Sequence, residues 1–337
     1  MKVFLTGATG YIGGDVLASI ARQFPSASIT ALVRDTARAK PIADKYPHVQ
    51  LQQGDLDSAD LIEATVKETD VIINTANGKH IGVVHSIANG IRKSQRTSPI
   101  CWIQISGASV LSTPDIIHKR FGEAFSHKYN DYEQVSEIIS LIQSAPTRAV
   151  DQAMLSIARE LGSRVRTAII FPPIIYGLGR GLGNANSQQI PGLCKVAIEK
   201  KTAVYVGQGE ATWGNVHVED LSNLITKIVG KGQDKESDPE LWNERGLYFV
   251  QTGEISWKRI AEFVSQTAQK AQIQASPKSI SAQEADTTFA HGSVLFGTNA
   301  VCVPERAKKL LGYSASQHGL EQEIPESFQR ALDALQT

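Results

Sequence analysis

The stretch TGATGYIGG, residues 6–14, decides the fold. It follows the short apolar run KVFLT (2–6) and leads into a helical pattern over residues 12–23. Gly7, Gly10 and Gly13 punctuate the turn between them. A pyrophosphate brought against backbone needs glycine at such places. One makes the tight turn, one lets N–H groups approach the phosphates, and one lets the helix lie close to the strand. The helix then offers its positive end to the anion. A lone glycine triplet is a weak signal. Here strand, turn, helix and second strand come in the required order, and the segment reads as a dinucleotide cradle.

Outward from the cradle the same unit repeats. Strands are expected over SITALV (28–33), VQLQQ (49–53), DVIINT (70–75), ICWIQIS (100–106) and RTAIIF (166–171). Helical patterns fall near 12–23, 36–46, 58–68, 81–96 and 147–161. This alternation predicts an α/β fold with parallel strands and crossover helices, a doubly wound sheet of Rossmann type. The spacing breaks once, at residues 107–146, and an insertion at the carboxyl edge of such a sheet is expected over the ligand crevice. After Phe171 the pattern is mixed. Helices are expected near 187–201, 219–230, 256–271, 304–311 and 320–335, with short strands near 203–206 and 247–251. The expected division is a dinucleotide-binding domain over 1–176, carrying the insertion, and a smaller mixed α/β substrate lobe over 177–337 that partly returns to the first.

Composition narrows the class. Basic and acidic residues balance at 34 each, which gives no reason to expect a nucleic-acid or membrane partner. Cys101, Cys194 and Cys302 are far apart, odd in number and without metal-ligand spacing, so they read as reduced thiols and no metal is expected. The apolar start of the chain is too short for a signal peptide. A cytoplasmic protein with a small-molecule substrate is the expectation. Residues 230–240, GKGQDKESDPE, read as a solvated loop.

The strand ends suggest which dinucleotide. The second strand closes ALVRD, and Arg34 is its first polar residue. A guanidinium suits a ribose 2′-phosphate, with Arg38 and Lys40 nearby, so NADP(H) is favoured over NAD(H). Asp35, one residue later, keeps the unphosphorylated cofactor open. Asp55 in GDLDS can accept from an adenine amino group while Leu56 packs on the ring. The small residues of NTAN (74–77) leave room beyond them.

Together these segments resemble the extended or atypical short-chain dehydrogenase/reductase superfamily, the NAD-dependent epimerase/dehydratase-like group, over nearly the whole chain. TGATGYIGG is similar to its cofactor loop. PPIIYG (172–177) resembles the segment passing the nicotinamide, VHVEDL (216–221) the opening of a C-terminal-lobe helix, and PERAKKLLGY (304–313) a late helix. The resemblance implies cofactor contacts at Gly7, Thr9, Gly10, Tyr11, Ile12, Arg34, Asp55, Leu56, Thr75, Ala76, Pro172 and Ile175. It also implies a serine or threonine after the fifth strand and a tyrosine with a lysine four residues on, the lysine lowering the phenol pKa for proton transfer.

The chain departs from that pattern. ISGASV supplies Ser106 and Ser109, yet counting back from Val110 puts Gly107 where the hydroxyl usually sits. None of the eight tyrosines has a lysine four residues on, and alignment of TRAVDQAML places Gln143 and Thr147 near the tyrosine and lysine positions. Tyr176 has Arg180 at that spacing, but a guanidinium cannot give up a proton at neutral pH. The remaining candidates for proton transfer are Ser106, Ser109, Tyr132 in YNDYEQVSE (129–137), and His80, expected near the nicotinamide. Tyr129, Tyr176 and His217 are candidate substrate contacts, and His118 with Lys119 form a lesser alternative. GLGRGLGNANSQQIPG (177–192) reads as a mobile loop, either a lid or a plain connection.

The reading that follows is an NADP(H)-dependent oxidoreductase acting on a small organic carbonyl-type substrate with a nonstandard proton donor. The alternatives are a cofactor-binding redox sensor without catalysis and a redox-neutral isomerase or lyase. A homodimer is compatible with the resemblance.

Overall fold

The computed structural model describes residues 1–336. The first half alternates strictly: β1 (Lys2–Thr6), α1 (Tyr11–Gln23), β2 (Ser28–Val33), α2 (Thr36–Lys45), β3 (Val49–Gln53), α3 (Ala59–Lys67), β4 (Val71–Asn74), α4 (Ile81–Lys93) and β5 (Ile100–Ile105). The insertion holds α5 (Thr113–His118), β6 (Tyr129–Asn130) and α6 (Val135–Ser144). Helix α7 (Ala149–Leu161) and β7 (Val165–Phe171) restore the alternation. The second half runs through β8 (Ile174–Tyr176), α8 (Gln189–Lys200), β9 (Thr202–Val206), β10 (Thr212–His217), α9 (Val218–Gly232), β11 (Leu247–Phe249) and β12 (Gly253–Ser256). It closes with α10 (Trp257–Lys270), β13 (Ser276–Ile280), α11 (Ala282–Thr288), α12 (Gly292–Gly297), β14 (Cys302–Val303), α13 (Glu305–Leu311) and α14 (Leu320–Gln336).

Seven parallel strands form the main sheet in the order β3-β2-β1-β4-β5-β7-β11. Side chains alternate faces along each strand. In β1, Val3 and Leu5 join the core against α1 and α9, while Phe4 joins the one against α3 and α4. The winding reverses direction at β1, so a crevice opens at the carboxyl ends between β1 and β4. The edge strand β11 comes from beyond residue 176, so the sheet itself draws on both halves of the chain.

The insertion is braced by residues 298–306. Asn299 donates from its backbone and its carboxamide to Asp115 (2.7 and 2.8 Å), and Thr298 donates to the Ser112 hydroxyl (2.7 Å). Strand β6 pairs in parallel with β14. Asp131 accepts from the backbone N–H groups of Glu305 and Arg306 (2.8 and 2.9 Å) at the start of α13. The expectation that the insertion covers the crevice needs correcting. Neither cavity along the crevice draws a lining residue from 107–146, because these contacts turn the segment toward α13 and β14.

Candidate functional site

The glycine turn is packed too tightly against its own strand ends for side chains. Gly7 has φ +82°, and a Cβ there would stand 2.5 Å from the Thr75 hydroxyl oxygen. A Cβ on Gly13 would stand 2.2 Å from the Gly7 carbonyl oxygen. Gly10 is the N-cap of α1 and offers no capping side chain, so the first N–H groups of the helix are left for an anion. Around this turn lie two adjoining cavities that share Gly10 and Thr75.

The first, about 470 Å³, is lined by Gly7, Thr9, Leu32, Val33, Arg34, Asp55, Leu56, Asp57, Ala76, Asn77 and His80 among others. The second, about 430 Å³, is lined by Tyr11, Ile12, Pro173, Ile175, Asn184, Ser187, Gln188, Gln189 and Leu295, with no charged side chain. Every cofactor residue expected from sequence lines one or the other except Pro172. The Pro172 carbonyl accepts from the Ala108 N–H (2.9 Å), and Pro173 takes the wall position. These surfaces fit a dinucleotide, its adenosine end in the first cavity and its nicotinamide end in the second.

Buried hydrogen bonds hold the strand ends that form the floor. The Thr6 hydroxyl donates to Asn74 (2.5 Å), Asn74 donates to Gln104 (2.8 Å), and the Thr75 hydroxyl donates to the Thr6 carbonyl (2.7 Å). Thr6, Asn74 and Gln104 are buried, so this chain locks β1, β4 and β5 in register beneath the crevice.

At the outer end of the first cavity the charged groups divide by role. Asp35 caps α2 by accepting from the Arg38 N–H (3.1 Å), and Lys40 pairs with Asp44 (2.7 Å). The Arg34 side chain is exposed and has no hydrogen-bond or ion-pair partner among the described residues. The Ser58 hydroxyl and the Asp57 N–H hold the Asp55 carboxyl below the usual aspartate range, so it stays an acceptor. His80 is placed differently from the sequence expectation. Its Nδ1 caps α4 by accepting from Val83 (3.1 Å), and its Nε2 lies 3.2 Å from Asp57. Both contacts keep it at the Arg34 cavity rather than the uncharged one.

The glycine-rich segment 177–188 is docked rather than loose. Arg180 donates from its backbone to the buried Asp15 (2.8 Å) and from its guanidinium to Asp15 and Ser19, and it lies 3.4 Å from Glu219. The Asn184 N–H donates to the Thr9 carbonyl (2.9 Å), and the Tyr11 phenol donates to the Gly177 carbonyl (2.6 Å). Burial first, then Glu323 and Asp15, push the Tyr11 phenol far above its ordinary value, so it stays protonated. The polar run NANSQQ thereby becomes one wall of the second cavity. From sequence only its flexibility was legible, because the Arg180–Asp15 pairing spans 165 residues.

The other expected residues scatter. Tyr132 lies under Arg306 and Lys309, 5.4 and 4.6 Å from its ring centre, and Tyr129 is buried in β6 against His127. Tyr176 is buried and donates to the His318 carbonyl (2.7 Å). His217 caps α9 through Glu219 (3.2 Å) and stacks edge-on with Tyr176. His118 ends α5 beside the left-handed Lys119. Thus Tyr129, Tyr132, Tyr176 and His217 are committed to packing or capping, and none lines either cavity.

Ser106 and Ser109 line neither cavity either, but each binds an ionisable side chain. Ser106, the first residue past β5, donates to Asp151 (2.9 Å) in the first turn of α7. Ser109 accepts from Arg148 (2.7 Å), whose guanidinium lies 3.7 Å from Asp151. Gln143 and Thr147 are exposed and take no part. Cys101, Cys194 and Cys302 are free and buried, and burial pushes the Cys101 and Cys194 thiols up to about 12, which leaves them inert. Among the described residues no group of three His, Cys, Asp or Glu could hold a metal, and no helix is long and apolar enough to cross a membrane.

Comparison with known proteins agrees with this geometry. A family model described as NAD(P)H-binding matches residues 7–143. Oxidase ucsJ of Acremonium sp is 30% identical over 342 residues, covering 99% of this chain and 98% of that one. An uncharacterized protein of Saccharomyces cerevisiae is 23% identical over 335 residues, covering 97% and 99%. Among solved structures, dTDP-glucose 4,6-dehydratase from Bacillus anthracis in complex with NAD superposes with a TM-score of 0.67 at 17% identity, covering 99% of this chain and 97% of that one. UDP-glucuronic acid 4-epimerase from Bacillus cereus, in complex with UDP-glucuronic acid and NAD, gives 0.66 at 14% identity, covering 99% and 100%.

Proposed function

The chain belongs to the extended short-chain dehydrogenase/reductase superfamily, the NAD-dependent epimerase/dehydratase-like group, and from that premise we propose that it is an NADP(H)-dependent oxidoreductase. Its substrate in this reading is a small uncharged organic molecule with a carbonyl-type group. The observation that carries the cofactor choice is the division of labour after β2: Asp35 is spent as a helix cap, while Arg34 stands without a partner on the cavity wall. A 2′-phosphate supplies that partner.

When bound, the nicotinamide supplies or accepts hydride. The chain's own residues do the rest. The uncapped start of α1 holds the pyrophosphate. Asp55 and Leu56 hold the adenine. Tyr11, Ile12, Pro173 and Ile175 wall the reacting end, and the docked 177–188 segment forms its polar side. The second cavity offers carboxamides, a hydroxyl and apolar surface, but no cation. A nucleoside diphosphate, such as the one carried by the Bacillus cereus epimerase, would bury two phosphates there without charge compensation. A neutral substrate fits that lining better.

The test is a calorimetric titration with NADP⁺, NADPH, NAD⁺ and NADH on the wild type and on Arg34→Ala. It is followed by NADPH oxidation with a panel of small uncharged aldehydes, ketones and imines. Preference for the phosphorylated forms, lost with Arg34, supports the reading. Equal binding of all four forms, or no turnover across the panel, counts against it.

A second reading is supported by the commitment of Tyr129, Tyr132 and Tyr176 to packing: a redox-sensing protein without catalysis. It requires a distinct affinity for oxidised and reduced cofactor and a protein partner recovered by pull-down. A redox-neutral isomerase or lyase would instead form product with no net change in cofactor absorbance.

A further inference from the structure

We infer that Asp151 stores the proton that Ser106 hands to the substrate, in place of the phenol and amine used elsewhere in the superfamily. The inference rests on the oxidoreductase reading above.

Ser106 stands at the carboxyl edge of the sheet. Its N–H donates to the Ile170 carbonyl (2.8 Å), so it lies beside the end of β7, while β4, ending at Asn74, flanks β5 on its other side. Thr75, the residue after β4, and Pro173, two residues past β7, wall the uncharged cavity. Ser106 is only partly buried. Asp151 behind it is 2% exposed. One Asp151 oxygen meets the Ser106 hydroxyl at 2.9 Å, and the other is buried with no hydrogen-bond partner among the described residues. An ionised carboxylate with a bare buried oxygen is costly, whereas the neutral acid has a hydrogen to place and less charge to solvate. Burial pushes the Asp151 carboxyl above its ordinary range, against the opposing pull of Arg148 and of Ser106.

The other charges on the elements packed around α7 are engaged elsewhere. On α4, Arg92 pairs with Glu160 and Lys93 with Glu63, while His85 is exposed. On β7, Arg166 donates to the Gly232 and Asp234 carbonyls. Arg159 meets Glu244, and on α6 Glu137 meets His127. Arg148 alone bears on Asp151.

In a reduction the carbonyl carbon takes hydride from the reduced dinucleotide, and the C=O π pair takes the Ser106 hydroxyl proton. Ser106 recovers a proton from the Asp151 carboxyl, and Asp151 is left as a carboxylate. Water reprotonates Asp151 once the oxidised dinucleotide has been exchanged. Asp151 acts through Ser106 and is therefore a positioning and proton-storing residue.

This arrangement has a signature that needs no substrate. The oxidised dinucleotide carries a positive charge on its ring that the reduced one lacks. Binding the oxidised form favours ionised Asp151 and drives a proton into the buffer, whereas binding the reduced form does not. The phosphates are common to both forms and cancel in the difference.

The experiment is calorimetric titration of the full-length protein with NADP⁺ and with NADPH, between about pH 5 and 8, in two buffers of different ionisation heat. The wild type is expected to release up to about one proton more per NADP⁺ than per NADPH. Asp151→Asn abolishes the difference while still binding both forms. Ser106→Ala removes a hydroxyl donor and moves the midpoint of proton release to higher pH. This second variant decides the matter if Asp151→Asn does not fold. A difference that persists in Asp151→Asn, or a midpoint unmoved in Ser106→Ala, overturns the inference. Binding of both forms with no proton difference in the wild type overturns this inference alone. Failure to bind either form overturns the cofactor reading with it.

Discussion

At its Arg34 end the crevice presents an exposed guanidinium without a partner among the described residues; behind Ser106 the sheet edge holds a guanidinium and an acid largely buried. An exposed guanidinium can exchange solvent for a phosphate with little desolvation cost. Asp151 and Arg148 sit behind the serines, Asp151 accepting from Ser106 and Arg148 donating to Ser109. The first arrangement suits reversible capture of a charged ligand. The second suits holding a proton whose position is set before any ligand arrives. Charge recognition and proton handling thus fall at different strand ends of one sheet edge and do not compete.

Arg148→Ala tests whether the groups behind Ser106 belong to the interior. Removing the guanidinium leaves the Ser109 hydroxyl and the Gly107 carbonyl without their donor in a largely buried site, at a cost of about 3 kcal/mol of folding stability, read as a lower urea midpoint. A loss below about 1 kcal/mol would mean the pair is solvated like a surface bridge. Next is Gly13→Val, whose side chain would collide with the Gly7 carbonyl. It is expected to weaken dinucleotide binding by roughly a hundredfold or more in calorimetry, about 3 kcal/mol. Arg34→Ala should cost about 1.5–3 kcal/mol of NADPH affinity, roughly ten- to hundredfold, and leave NADH binding unchanged. Asp35→Ala sharpens the same end. Losing the cap of α2 should cost about 1 kcal/mol of stability in urea unfolding, with the ratio of NADPH to NADH affinity unmoved.

The smallest effect concerns the 177–188 segment. Burial alone would raise the Asp15 carboxyl, but the Arg180 bonds outweigh it and hold the group below its ordinary 3.8. A depressed acid contributes stability above its ordinary value and loses it as pH falls through the depressed one. Proteolysis within 177–188 should therefore stay slow at pH 5 and accelerate only below about pH 4, and Asp15→Asn should remove that acid dependence.

Much of the frame was legible in the sequence because it is local. The six strands expected from short β-branched runs all form within a residue or so of their expected ends, and the glycine turn announces itself in nine letters. Arg34 was legible for the same reason, being the first polar residue after a strand. Several features were not legible. Asp151 pairs with Ser106 across 45 residues, and an alignment searching for tyrosine and lysine passes over an aspartate. Pro172 and Pro173 differ only in which of two adjacent prolines faces the cavity, a one-residue choice that no periodicity makes. His80 and His217 looked like chemistry because histidine is versatile, yet each accepts a helix N–H. The short strands β6, β8, β13 and β14 have little pattern of their own and owe their pairing to distant partners.

The bracing of the insertion sets an order of assembly. Ser112, Asp115, Tyr129 and Asp131 leave the ribosome well before Thr298, Asn299, Cys302 and Arg306, the residues they bind. At ordinary translation speeds that gap is on the order of ten to thirty seconds. Throughout it, the turn that grips phosphate already has its strand, helix and neighbouring strands. The insertion waits for a partner not yet made, and Asp131 is exposed to water until α13 arrives to cover it.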